Sequence, residues 1–172
     1  KFVADIIGYH DAYKARRSDA VPALKLSNHD EDRAASDLGK NLAKEKQAVA
    51  FLLTASGKPF IYQGEELGYW GTKSKGDEYV RTPMMWTKSN TGLASKRLGS
   101  KIDKSMLTAS ISVESQLADE ESLLNVYKTF SALRNTYPAL AEGQMSVMSI
   151  DDPAIASWYM TSDSSKLLVI HN

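Results

Sequence analysis

A run of polar and titratable side chains follows a short apolar stretch near the start of the chain. The apolar stretch is Val21–Leu26, and after Ser27 come the residues Asn28, His29, Asp30, Glu31, Asp32 and Arg33. This change is typical of a buried strand whose last side chains reach a surface, where parallel sheets and barrels place catalytic residues. An ionised carboxylate there accepts charge-assisted hydrogen bonds, and an imidazole adds a donor. The pattern equally fits a strand followed by a charged turn, in which an aspartate caps the next helix.

A second stretch repeats this design roughly 35 residues further along, which is the spacing of a βαβ unit. Gly57 and Pro59 mark its start, Phe60–Tyr62 fits a short strand, and Gln63–Glu66 is its polar end. Between the two stretches, a helical apolar period begins near Asp37. The sequence therefore predicts strands near 22–27 and 59–63 with a helix between them.

Four motifs, in this order, resemble the α-amylase family of glycoside hydrolases. Ser27–Asp30 resembles the N-H-D motif of the family's seventh barrel strand, and Gly57–Glu66 resembles its eighth-strand motif, G-x-P-x-x-x-x-G-x-E. Arg81–Trp86 is similar to the R-T-P-M-x-W segment of oligosaccharide-acting members, and Ser122–Leu140 resembles the final barrel helix. The chain is most similar to the cell-surface starch-utilisation α-amylases of gut Bacteroides-type bacteria.

The resemblance implies an α/β fold, the C-terminal part of a (β/α)8 TIM barrel followed by the start of an antiparallel β domain. Strands seven and eight with their helices would occupy residues 1–142, and residues 143–172 would begin the β-sandwich domain C. The apolar periods predict helices near 2–16, 40–55 and 121–135, and alternating residues predict short strands after residue 143.

The resemblance also implies roles for the polar residues. Asp30 matches the third catalytic carboxylate of the family, which holds the distorted sugar, and His29 matches a residue that binds sugar hydroxyls. Asn28, Asp32 and Arg33 are further candidates for substrate binding, although Asp32 and Arg33 could equally form an ion pair in the turn. The nucleophile and the proton donor would come from strands four and five, so we expect the isolated chain to be inactive.

Two features after the second strand leave alternatives open. Glu65 and Glu66 could face the same cleft, but Glu66 matches a structural position of the eighth-strand motif. The long stretch Leu67–Asp119 predicts a functional loop, in which Trp70 and Trp86 either stack on sugar rings or bury the loop. Within it, residues 88–104 show no period and are expected to be mobile.

Three functions remain open. The first is part of a retaining hydrolase that cleaves α-1,4 bonds in starch and maltooligosaccharides. The second is an α-1,6-acting or exo-acting oligoglucosidase, because Arg81–Trp86 also suits those enzymes. The third is a non-catalytic relative that binds glucan or acts as a scaffold. The intact N-H-D motif favours an enzyme, because a scaffold has no chemical need for Asp30.

Composition limits the partners. The chain has 21 basic and 21 acidic side chains, and this zero net charge argues against nucleic-acid binding. Cysteine is absent and the three histidines are widely spaced, so we expect no metal ligand or cofactor in this segment, although a full-length parent could bind calcium. The expected partners are α-glucans, the remainder of the barrel upstream of Lys1 and outer-membrane starch-uptake proteins. The resemblance implies an extracellular or cell-surface location.

Overall fold

The computed structural model of the chain describes residues 2–89 and 103–172, which form two compact units. Unit 1 contains the described residues of Lys1–Leu24, Ala50–Phe60 and Phe130–Asn172, and unit 2 contains those of Lys25–Val49 and Ile61–Thr129. All the candidate residues from Asn28 to Arg33 belong to unit 2. Most of the stretch that we expected to be mobile, 88–104, lies outside the described residues.

Helices and short strands alternate through the first part of the chain, and strands dominate its end. The helices are α1 (Phe2–Arg16), α2 (Ala34–Asp37), α3 (Leu42–Thr54), α4 (Asp77–Val80), α5 (Val113–Leu117), α6 (Leu123–Thr136) and α7 (Pro138–Glu142). The strands are β1 (Ala23–Lys25), β2 (Lys58–Phe60), β3 (Gln144–Val147), β4 (Ala156–Thr161) and β5 (Lys166–His171). Short 3-10 turns occupy Glu65–Leu67, Lys73–Lys75, Lys104–Met106 and Ala109–Ile111.

The strands β1 and β2 pair in a two-stranded sheet, with helices between them in the chain, as the spacing predicts. The amide of Lys58 donates to the carbonyl oxygen of Pro22 at 2.8 Å. Gly57 precedes this bond with a φ of 115°, and a Cβ there would lie 2.8 Å from the same carbonyl oxygen. Glycine is therefore required where the chain turns into β2.

Strand β2 ends at Phe60 and is shorter than the predicted range 59–63. The next residues bond to a different segment instead of to a strand. The Tyr62 hydroxyl donates to the carbonyl oxygen of Val80 at 3.0 Å, and the Gln63 amide donates to that of Thr82 at 2.9 Å. These bonds hold the polar end of the stretch in place without a sheet.

The helix predicted from Asp37 onward begins only at Leu42, because Asp37 is the last residue of the separate short helix α2. Gly39 and Lys40 separate α2 from α3, because both take left-handed backbone angles, with φ of 70° and 57°. The amide of Lys40 donates to the carbonyl oxygen of Ala35 at 2.7 Å, which closes the end of α2. The predicted helix near 40–55 is therefore confirmed as α3, with a break before it that periodicity does not show.

Strands β3, β4 and β5 form one antiparallel sheet in unit 1, as predicted for the end of the chain. Met145 lies opposite Met160, and Trp158 lies opposite Val169. The apolar core of this unit consists of Val3, Ala139, Leu140, Met145, Trp158 and Met160. The domain boundary at residue 143 stays a prediction.

Unit 2 contains a core that the sequence does not suggest. The stretch Leu67–Asp119, expected to be a loop, has short helices and a buried apolar cluster instead. The cluster consists of Leu67, Tyr69, Met85, Met106 and Ile111. The Tyr69 hydroxyl accepts a hydrogen bond from the amide of Met85 at 2.7 Å, so a buried polar bond fixes this segment.

The end of α3 depends on one buried arginine from α6. Arg134 is 7% exposed, and its guanidinium donates to the carbonyl oxygens of Leu53 and Ala55 at 3.0 Å and to that of Gly57 at 2.5 Å. The last carbonyl groups of a helix have no partner within the helix. Arg134 supplies donors for them and for the turn into β2.

Replacing Arg134 by methionine should therefore lower the free energy of unfolding by about 3 kcal/mol, because three buried carbonyl oxygens lose a charged donor. Arg17→Met is the matched control, since the Arg17 side chain is 77% exposed and pairs with Asp19. Its cost should be within about 0.5 kcal/mol. Urea unfolding measures both, and equal midpoints for the two variants would contradict the capping role.

Candidate active site

The Asp30 carboxylate lies among three side chains of unit 2 that can carry positive charge. Its Oδ1 accepts hydrogen bonds from Lys73 Nζ at 3.0 Å and from Arg81 Nη2 at 2.8 Å, and its Oδ2 lies 3.0 Å from His29 Nε2. The bond from Lys73, followed by that from Arg81, lowers the pKa of Asp30 below its ordinary value. The side chain is 57% exposed, so an ionised carboxylate faces solvent.

The backbone around Asp30 is shaped by its neighbours in the motif. Asn28 Oδ1 accepts a hydrogen bond from the amide of Asp30 at 2.7 Å, which forms an Asx turn. The carbonyl oxygen of His29 accepts from Arg81 Nε at 3.1 Å, and the His29 side chain is 63% exposed. Asn28 thus sets the turn and His29 stands beside the carboxylate, while their contacts with a substrate stay predictions.

Four side chains close a ring of alternating charge that includes Asp30. Asp77 contacts Lys73 Nζ, and its Oδ2 lies 2.8 Å from Arg81 Nη2, so Asp30 and Asp77 share the same two cations. We call Asp30, Lys73, Asp77 and Arg81 the charge ring. Single surface pairs contribute little to stability, but a closed ring restricts the position of each member.

Asp32 and Arg33 have separate partners and do not form the ion pair considered from the sequence. Asp32 Oδ1 accepts a hydrogen bond from the amide of Lys73 at 2.6 Å, which fixes the turn that carries the Lys73 side chain. Arg33 is wholly buried, donates from Nη1 to the carbonyl oxygen of Gln63 at 2.6 Å, and lies 4.1 Å above the Tyr62 ring. Any effect of Arg33 on a substrate would pass through the backbone that it supports.

Glu65 is a buried carboxylate that has no definite role in the sequence analysis. It is 5% exposed, its Oε2 accepts from Ser27 Oγ at 2.7 Å, and its Oε1 accepts from the Tyr127 hydroxyl at 2.8 Å. Burial raises the pKa of Glu65 above its ordinary value. Its position in the polar end of the second stretch is the sequence signal for it. Glu65 therefore anchors the residue that precedes Asn28 and does not face an open cleft.

The two loop tryptophans differ in exposure. Trp86 is 61% exposed, whereas Trp70 packs against the buried cluster around Leu67 and Tyr69. Within residues 2–89 and 103–172, no three His, Cys, Asp or Glu side chains come together as a metal site. In the same part of the chain, no helix has the length and apolar character needed to cross a membrane.

The lowered pKa decides what Asp30 can do chemically. A general acid must hold a proton near the working pH, and Asp30 does not, because two cations favour its charged form. A carboxylate offers about four acceptor sites, of which Lys73 and Arg81 occupy two. The arrangement therefore suits a fixed negative charge that accepts hydrogen bonds from hydroxyl groups.

Comparisons with known proteins agree on one family. A family model described as "Alpha amylase, catalytic domain" matches residues 7–143. The chain is 51% identical to "Alpha-amylase SusG" of Bacteroides thetaiotaomicron, over 99% of this chain and 25% of the relative. It is 31% identical to "Alpha-amylase 3" of Dictyoglomus thermophilum, over 94% of this chain and 32% of that protein.

The solved structures place the fold in the same group. The crystal structure of an α-amylase from H. orenii matches 99% of this chain with a TM-score of 0.81 and 27% identity, and the match covers 34% of that protein. This confirms the predicted fold class, the end of a TIM barrel with an antiparallel sheet. The chain thus spans a quarter to a third of the length of the proteins that it matches.

Replacing Glu65 by glutamine should change how stability depends on pH. Because burial raises the pKa of Glu65, the folded state holds this proton more tightly than the unfolded chain does. The stability from this proton is fully present below the unfolded pKa and is lost as pH rises through the folded pKa. Glutamine cannot ionise, so the stability of Glu65→Gln should increase relative to that of the parent as pH rises from about 4.3, the ordinary glutamate pKa, to neutral pH.

Urea unfolding across that pH range measures the effect. Glu120→Gln, at an exposed position, is the matched control and should leave the pH dependence as it is in the parent. Parallel curves for Glu65→Gln and the parent would contradict the assignment of a buried, proton-linked carboxylate.

Proposed function

Because this chain belongs to the α-amylase family of glycoside hydrolases, we propose that it is part of a retaining α-1,4-glucan hydrolase. In this proposal it supplies the carboxylate that grips the sugar in the transition state. The observation that carries the proposal is the exposed, ionised Asp30 beside His29, at the place of the family's N-H-D motif. The chain covers a quarter of SusG, so the activity is assigned to a longer protein.

In this mechanism Asp30 forms no covalent bond. One carboxylate elsewhere attacks the anomeric carbon, a carboxylic acid protonates the leaving oxygen, and the sugar passes through an oxocarbenium-like state. Asp30 accepts hydrogen bonds from two neighbouring sugar hydroxyls, and His29 adds a donor. These contacts accelerate the reaction to the extent that they strengthen as the ring distorts and gains positive charge.

Lys73 and Arg81 act in this mechanism by positioning Asp30. Both donate to Oδ1, so Oδ2 is the oxygen that lies beside His29 and away from the two cations. They also keep the carboxylate ionised in acidic solution, because each favours the charged form. In other enzymes, too, neighbouring side chains hold a catalytic group in position through hydrogen bonds.

A second candidate function is hydrolysis of α-1,6 bonds or removal of single sugars from chain ends. The segment Arg81–Trp86 favours it, because it is similar to the R-T-P-M-x-W segment of oligosaccharide-acting members. The 51% identity to an α-amylase favours the first function. Comparing rates on maltotriose and isomaltotriose tests the bond preference, since only an α-1,6-acting enzyme should cleave isomaltotriose faster. The products released first from a longer maltooligosaccharide test the exo action, since only an exo-acting enzyme should release single sugars from the start.

We also propose a cell-surface location, with starch-uptake proteins of the outer membrane as partners. The support is the similarity to SusG of Bacteroides thetaiotaomicron. Labelling intact cells with an antibody against this chain tests the location.

Binding of calcium by the longer protein is a further proposal from family resemblance. Loss of activity in the presence of a chelator, restored by added calcium, would support it.

A chimera provides the test of the main proposal. In it this chain replaces the matching segment of SusG, so the host supplies the nucleophile and the proton donor. The chimera should hydrolyse starch, whereas the isolated chain should release no reducing sugar. A folded chimera without activity would contradict the enzyme hypothesis and favour a glucan-binding relative.

Asp30→Asn in this chimera should lower the turnover number by about a hundredfold to a thousandfold, or about 3–4 kcal/mol. The amide keeps the size of the side chain but presents a donor where hydroxyl groups need an acceptor. The melting temperature should barely change, because the side chain is exposed. Asp19→Asn, at an exposed aspartate outside the site, is the control. Full activity in Asp30→Asn would reduce Asp30 to a turn residue.

Lys73→Met should shift the acid limb of the pH profile of kcat/KM to higher pH. Lys73 is the main cause of the lowered pKa of Asp30, so its removal lets Asp30 take up a proton at higher pH. Lys73→Arg keeps a positive charge and should keep most of the original profile. A Lys73→Met profile that only falls in height, with its acid limb unmoved, would contradict the positioning role.

A further inference from the structure

A groove in unit 2 lies outside the candidate active site and includes no member of the charge ring. Its volume is about 270 Å3, close to the lower end of the range that ligand pockets usually have. Two aromatic side chains, Trp70 and Tyr79, are part of its wall. Polar side chains of the wall include Lys40, Thr72, Lys75 and Asp103. Aromatic and polar groups thus converge on one open groove.

Trp70 is held firmly within this groove. Its Nε1 donates to Asp103 Oδ2 at 2.9 Å, and its ring packs against the buried cluster around Leu67 and Tyr69. Asp103 is ionised, because hydrogen bonds from Ser105 and then from Trp70 lower its pKa to about 2. The ring is therefore fixed before any ligand binds, so less side-chain entropy is lost on binding.

Lys40 covers Trp70 from a strained backbone position. Its Nζ lies 4.5 Å above the indole ring and 3.8 Å from Asp103 Oδ2. Lys40 has a φ of 57°, and among the described residues it is the non-glycine residue with a positive φ. This angle belongs to the turn that closes the end of α2. The side chain itself is 49% exposed, so a ligand can displace it from the ring.

The mixture of groups selects the chemistry of the ligand. The groove carries both signs of charge, Lys40 and Lys75 against Asp103, which disfavours a ligand of high charge of either sign. An apolar ligand would remove water from these charged groups without offering them hydrogen bonds. A pyranose ring presents a flat C–H face to an aromatic side chain, and its hydroxyls both donate and accept hydrogen bonds.

We propose that the groove between Trp70 and Tyr79 binds a neutral glucan chain at a site separate from Asp30. The choice of glucan as the ligand rests on the proposed function. The site would hold a polymeric substrate to the protein through stacking and hydroxyl contacts, without taking part in bond cleavage. Tyr79 lies on α4 between Asp77 and Arg81, so this helix carries residues of both sites.

The test measures binding and not turnover. The chimera with Asp30→Asn binds to insoluble starch, and its dissociation constant is compared with those of Tyr79→Ala and Thr72→Tyr in the same protein. Tyr79→Ala removes an aromatic wall. Thr72→Tyr fills the groove from a residue with extended backbone angles, φ −119° and ψ 123°, which suit tyrosine. Both should weaken binding by about tenfold or more.

Trp70→Ala belongs to the same series, with its melting temperature as a check, because its ring also packs in the core. Tyr13→Ala is the matched control, since it removes a tyrosine that is 45% exposed on α1. Tyr13→Ala should bind starch as the parent chimera does. If Tyr79→Ala and Thr72→Tyr also bind as the parent does, the groove proposal is wrong.

The two proposals fail in different ways. An active chimera whose groove variants keep full starch binding would contradict only the groove. A chimera that loses binding through the groove variants but never hydrolyses starch, even with Asp30 intact, would contradict only the catalytic proposal. The chimera should also bind starch more tightly than dextran, because a site without preference among polymers would bind both with equal affinity.

Discussion

The candidate site depends on a buried carboxylate that is not itself part of it. Glu65 accepts hydrogen bonds from Ser27 and from Tyr127, so it joins the start of the polar loop to helix α6. Removing either donor would leave one oxygen of a buried carboxyl group without its partner, which is costly. At the other end of the loop, Arg33 binds the carbonyl oxygen of Gln63. The loop is fixed at both ends by buried polar bonds, and its middle is free to face solvent.

Two carboxylates in unit 2 take opposite pKa shifts for opposite physical reasons. Burial raises the pKa of Glu65, whereas hydrogen bonds from Lys73 and Arg81 lower that of Asp30. The first group serves structure, because a buried carboxyl group there binds two hydroxyl donors. The second serves chemistry, because a fixed charge at an open surface can meet the hydroxyls of a sugar. Environment, not residue type, separates the two roles.

The sequence predicted the fold better than it predicted the partners of Asp30. The helices α1, α3 and α6 follow from apolar periods, and the strand–helix–strand order follows from two apolar runs that end in polar residues. The break at Gly39 and Lys40 could not be predicted, because left-handed angles leave little trace at a lysine. The core around Tyr69 was also missed, because its apolar residues lie far apart and show no regular period.

Within the site, local motifs identified Asp30 and His29 but not the side chains that contact them. Lys73 lies 43 residues from Asp30 and belongs to no motif, so only the folded chain reveals their contact. Arg33 illustrates the reverse case. The sequence suggested an ion pair with Asp32 in the turn, and the structure instead buries Arg33 against Tyr62. Charge in a sequence does not say whether a side chain faces solvent, because buried partners far along the chain can satisfy it.

The affinity of a transition-state analogue tests the central claim most directly. In the SusG chimera, the inhibition constant of a cationic amino-sugar inhibitor is measured with Asp30 intact and with Asp30→Asn. If Asp30 binds the sugar in the transition state, Asp30→Asn should reduce the affinity for the inhibitor by about the same factor as it reduces kcat/KM. The affinity for maltose should change far less. A fall in kcat/KM with unchanged inhibitor affinity would contradict the claim.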